Sequence, residues 1–123
     1  MARFDTLPIY AVCYELLLRM FHNIQSFPKE YRYTLGERIQ NVMLDMTIDI
    51  YRANMLKYKS SALKSLNNRI QLLYIYLRIS HDMKILSMQK YASIIEQVDD
   101  ISRQAAGWLK SVEKSPESAQ VKA

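Results

Sequence analysis

Eight Lys or Arg residues fall between positions 52 and 90: Arg52, Lys57, Lys59, Lys64, Arg69, Arg78, Lys84 and Lys90. They face one acid, Asp82, so the stretch holds a formal +7 on a chain whose total is +5. A field concentrated in this way attracts polyanions and speeds their encounter. The chemistry that fits is phosphate binding, in which Lys and Arg displace the counterions of a nucleic acid.

No catalytic or metal-binding pattern competes with it. His22 and His81 are the only histidines, and neither has a second His or a carboxylate at ligand spacing. One cysteine and two scattered histidines do not make a zinc site. Sequence order alone leaves Cys-His or Ser-His-Asp catalysis open, yet Cys13 lies on an apolar helical stripe and His81 in a short link. Arg19-Met-Phe-His22 and Arg78-Ile-Ser-His81 are closer spaced than the Arg and His of small helical ribonucleases. Gly36 and Gly107 stand alone, so no glycine-rich phosphate loop exists. Asp45 and Asp49, one turn apart, read as ion-pair partners for Arg38, Arg52 or a neighbouring subunit rather than as an acid/base pair. The expectation is no enzyme, no catalytic residue, no cofactor and no metal.

The elements that carry these residues are helical. At 123 residues the chain is of single-domain size and long enough to bury a core. Apolar residues at three- and four-residue spacing predict helices over about 7–26, 33–58, 61–79 and 87–112, with stripes such as Ile9/Cys13/Leu16/Met20 and Leu63/Leu66/Ile70/Leu73/Leu77. Thr6 is the candidate cap of the first, ahead of Pro8. No segment alternates as a strand does. The fold class is therefore all-α, an antiparallel up-down-up-down four-helix bundle over 1–113, followed by a disordered polar tail over 114–123. Apolar runs are too short to span a bilayer, the N-terminus lacks a signal-peptide pattern, and a cytoplasmic protein without membrane contact is expected.

Two helices carry a second apolar stripe. In the second helix Leu44, Ile48, Tyr51 and Met55 oppose the core stripe; in the third, Leu72, Ile75, Tyr76 and Ile79 do so. One core satisfies one stripe, so these eight residues are the expected oligomer interface, forming a continuous patch in the isolated chain. The alternative is a single wide buried stripe. Lys64, Asn67, Gln71 and Arg78 share a narrow polar strip on the third helix, with Arg69 on the other flank. Lys57, Lys59 and Lys84 complete the candidate nucleic-acid-binding set.

The segment Phe27 to Ile39, FPKEYRYTLGERI, is more specific than composition. With Leu77-Arg78-Ile79, His81-Asp82-Met83-Lys84, Ser87 before Tyr91, and Gly107-Trp108-Leu109-Lys110, it resembles the Avd (accessory variability determinant) family of diversity-generating retroelements. The related four-helix-bundle proteins of 23S rRNA intervening sequences share the FPKE start. They differ downstream, where this chain has Met46-Thr-Ile-Asp-Ile-Tyr-Arg-Ala53. These matches do structural work: Pro28 stops the first helix, Thr34 and Glu37 can form a capping box, Gly36 permits close approach, and Trp108 packs the last helix. The resemblance implies a homopentameric barrel with a basic channel that binds template RNA or cDNA and a reverse transcriptase. By position it makes Arg78 the first candidate contact, while Tyr74 stands where the resemblance implies a second Arg and is a candidate for base stacking. The alternative reading is an oligomeric protein-interaction scaffold, or an intervening-sequence bundle protein.

Overall fold

The computed structural model describes residues 3–114, and every regular element among them is helical. Four long helices dominate: α1 (Pro8–Ile24), α2 (Glu37–Met55), α3 (Ser60–Asp82) and α4 (Met88–Glu113). Each packs on its chain neighbours, and α4 closes the set against α1, which makes a helical bundle around one core. From residue 115 onward the expected polar tail lies outside the described residues.

Helix α1 opens with Pro8 at a position where no amide donor is needed. Thr6 does not cap it. A 3₁₀ turn over Phe4–Thr6 comes first, and the Thr6 hydroxyl donates to the Arg3 carbonyl at 2.8 Å. The expected capping box of Thr34 and Glu37 is also absent. After Pro28 the chain is already helical, through a turn at Lys29–Tyr31 and a π-helical turn at Arg32–Gly36. Thr34 is thus an interior residue, and its hydroxyl donates one turn back to the Glu30 carbonyl at 3.1 Å. Gly36 is required by contact: a Cβ there would lie 2.7 Å from Ile24 Cγ2.

Helix α3 runs three residues past its expected end, so His81 belongs to its last turn. Lys84, at φ 64°, is the left-handed residue that reverses the chain. The Ser80 carbonyl then accepts from the amides of Ile85 (2.8 Å) and Leu86 (3.1 Å). Ser87 caps α4, accepting from the Lys90 amide at 3.2 Å.

The core is the set of stripes read from the sequence, with additions. Ile9, Cys13, Leu16, Met20 and Ile24 of α1 meet Ile39, Val42, Met46, Ile50 and Ala53 of α2. All five leucine and isoleucine positions of the α3 stripe have no exposed area, and Ile94, Val98, Ile101 and Ala105 complete the set from α4. Leu17 and Met43 widen it. Trp108 is half-buried against the same cluster, whereas Gly107 has nothing within 4 Å of where a Cβ would be and allows no close approach.

Candidate functional site

The six basic candidates divide by what the fold asks of them. Lys64 and Arg78 lie exposed on the outer strip of α3 together with Gln71, and Lys84 is exposed at its C-terminal end. Arg78 holds Asp82 through Nε at 3.1 Å to both carboxylate oxygens, an exposed pair one turn apart. Such a pair contributes little to stability. Lys57 is exposed, with its ammonium 5.5 Å from the Tyr58 ring centre.

Lys59 and Arg69 are turned to internal work. The Lys59 ammonium donates to the carbonyls of Ala53 (2.7 Å), Leu56 (2.7 Å) and Asn54 (3.2 Å), closing the C-terminus of α2, where a cation also meets the favourable end of the helix dipole. The Arg69 guanidinium reaches from α3 to α2 and binds Asp49 at 2.5 Å, with Asp45 at 3.7 Å and Ser65 at 2.6 Å. Asp49 is only 1% exposed. A buried carboxylate needs such a partner, so Arg69 is not brought together with Lys64 and Arg78.

Tyr74 faces α4 rather than the basic strip. Its hydroxyl donates to Asp99 at 2.5 Å. Burial, and then the carboxylate that prefers a protonated partner, push its pKa up to about 12. It is a clamp between helices, not an open stacking surface. His81 likewise serves the α3–α4 connection: its ring stacks on Tyr91 at 4.6 Å, with Nδ1 3.4 Å from the Leu86 carbonyl. Burial raises the Cys13 thiol to about 11, and Thr47 lies 3.7 Å from its sulfur, so it is a poor nucleophile at neutral pH. Among the described residues no three of His, Cys, Asp and Glu are grouped to hold a metal ion, and no helix is long and apolar enough to cross a membrane.

The second stripes lie on the surface. Leu44, Ile48, Tyr51 and Met55 of α2 are 41–54% exposed. On α3, Leu72, Ile75 and Ile79 are 40–53% exposed, and Tyr76 is half-buried. The groove between α2 and α3 is lined in part by Arg38, Asn41, Val42 and Asp45 of α2 and by Arg69, Leu72 and Tyr76 of α3. Helical phase puts this seam between the two stripes.

The α2 face is extended by α1. Tyr14 stacks on Tyr10 at 5.7 Å, Tyr10 meets Phe4 edge-on at 5.2 Å, and Phe4 meets Tyr51 edge-on at 5.0 Å. Tyr14 and Leu18 are themselves exposed large hydrophobics. Sequence reasoning missed them, although Tyr10, Tyr14 and Leu18 repeat every four residues. The chain therefore presents two apolar faces of different make-up, an aromatic-rich one on α1/α2 and an aliphatic one on α3. A family model described as bAvd-like matches residues 9–112. No curated protein matches the chain.

Proposed function

The chain belongs to the bAvd-like family, and from that membership we propose that it is a non-enzymatic, nucleic-acid-binding accessory protein of a diversity-generating retroelement. In this reading it binds template RNA or cDNA, together with the reverse transcriptase, as a homopentameric scaffold in the cytoplasm. The family match over almost the whole folded region carries the proposal. The exposed Lys64 and Arg78 on one strip of α3, with Lys84 at its end, support a phosphate-binding surface.

Each protomer is an antiparallel up-down-up-down bundle. Paired positions that step down one helix as they step up the next support this course: Tyr74 with Asp99 and His81 with Tyr91, or Cys13 with Thr47 and Phe4 with Tyr51. Two unlike apolar faces on one chain favour head-to-tail contacts, which close into rings, over a self-complementary two-fold contact. Repeated around a ring, a short basic strip becomes a band of positive charge.

Binding through such a band is electrostatic, so affinity for structured RNA should fall steeply between about 50 and 200 mM salt. The variant Lys64→Glu/Arg78→Glu/Lys84→Glu should bind RNA much more weakly at low salt while keeping the circular-dichroism spectrum of the parent. Arg69 and Lys59 are left alone, because changing them would disturb the bundle itself. Undiminished RNA retention by the triple variant, or affinity flat across the salt range, overturns this reading. Displacement of a bound acidic peptide but not of RNA by heparin would favour a protein-docking scaffold.

A further inference from the structure

Among the described residues Tyr33 is the most exposed large hydrophobic residue, at 68%. It sits on the π-helical turn Arg32–Gly36, a kind of widened turn that recurs at functional sites. Two adjoining grooves meet at this ring. One is lined with Thr34, Glu37, Arg38 and Asn41; the other with Gln25, Arg32, Gln40 and again Asn41. Both are depressions open to solvent, of about 510 and 430 Å³. Arg38 and Asn41 also line the seam between α2 and α3.

The chemistry of the lining is selective. A free aromatic face, three amide side chains and two guanidinia surround the grooves, with Glu37 as one acid among them. Arg32 is held in place through Nε to the Phe27 carbonyl at 2.9 Å, and Arg38 has no ion-pair partner among the described residues. Amides pair with the edges of bases, guanidinia with phosphate, and an exposed tyrosine ring offers a stacking platform for a base. With Glu37 present, net positive charge is small, so contact here would rest on stacking more than on counterion release.

We infer that the Tyr33 grooves form a single-strand subsite in which an unpaired base stacks on Tyr33 and is held by Asn41, Gln40 and Arg38. The subsite is distinct from the basic strip of α3 and rests on the nucleic-acid reading proposed above. It adds an affinity component that salt does not remove.

The test uses the full chain and a fluorescein-labelled single-stranded oligouridylate of about 20 nucleotides, followed by anisotropy across a salt series. Tyr33→Ala should weaken binding by at least about fivefold at every salt concentration, without altering the slope of affinity against salt. Tyr33→Phe should retain most of the parent affinity. The Lys64/Arg78/Lys84 variant should instead flatten the slope. A 5-iodouridine version of the oligomer should cross-link to the peptide containing Tyr33. If the parent binds the oligomer but Tyr33→Ala binds equally well, or no cross-link forms there, the subsite is wrong and the basic-strip reading stands. If the parent fails to bind at low salt, both fall. If Tyr33→Ala leaves the oligomer bound but releases an acidic peptide that the parent holds, the groove serves a protein partner and the inference is overturned.

Discussion

Asp49 and Arg69 illustrate why counting charges along a chain overstates what is free to bind a ligand. Asp49 has lost nearly all contact with water, and its neighbour on the same helix, Arg52, reaches only to 4.0 Å. Arg69, 33% exposed in its side chain and twenty residues away, makes the close contact. Removing one partner of a buried pair is costly because the other charge is left unmet, whereas replacing both by apolar groups is often nearly neutral. Arg69→Met alone should therefore destabilise by about 3 kcal/mol, less whatever Arg52 recovers by moving closer. The double change Asp49→Leu/Arg69→Met should regain most of that loss. Urea-unfolding midpoints of the two variants decide it, and equal losses would mean that the pair matters little. Spacing identified Asp45 and Asp49 as ion-pair partners, but not which cation would cross from another helix. Arg69 and Lys59 stand in the basic stretch by sequence and are withdrawn from it by the fold, one by a carboxylate and one by three carbonyls. Lys64, Arg78 and Lys84 keep their exposure. Only tertiary contacts separate the two groups.

Helix by helix, the apolar stripes were legible because a period near 3.6 survives any choice of exact ends. The ends were not. Thr6 and Thr34 have the residue type of a cap, but capping depends on where the chain first becomes helical, and a 3₁₀ turn and a π-helical turn intervene before α1 and α2. The two glycines separate local propensity from contact in the same way. Gly36 has an ordinary helical φ of −59°, so its need for hydrogen in place of a side chain is purely steric. A Cβ would press on Ile24, itself 3% exposed, and come within 3.2 Å of the Tyr31 carbonyl. Gly36→Ala should destabilise by about 1–3 kcal/mol through overpacking. Gly107 lies inside α4 with open space beside it, so Gly107→Ala should stabilise by about 0.5–1 kcal/mol through reduced freedom of the unfolded chain. Thermal or urea denaturation of both variants tests the pair, and matching signs would discard the steric account of Gly36.

For the whole molecule, the decisive property is that its two exposed apolar faces differ. Periodicity revealed the stripes of α2 and α3, but not the seam between them, because phase on one helix says nothing about what the adjacent helix presents. Nor did it reveal that Phe4 joins Tyr10 and Tyr14 of α1 to Tyr51. If assembly is head-to-tail, the α1/α2 face of one protomer covers the α3 face of the next, and a charge on either face should break it. Ile48→Glu and Ile75→Glu, each at a residue more than half exposed, should each give monomers by light scattering with helicity preserved. Mixing them distinguishes the symmetry. An Ile48→Glu chain keeps its α3 face and an Ile75→Glu chain keeps its α1/α2 face, so together they can form one intact contact and no more. The mixture should yield a one-to-one dimer that cannot grow into a ring. Were each face instead to pair with its own kind, each variant alone would keep one intact self-contact and form homodimers, and no dimer would contain both variants. A mixture without the mixed one-to-one dimer would therefore rule out head-to-tail closure.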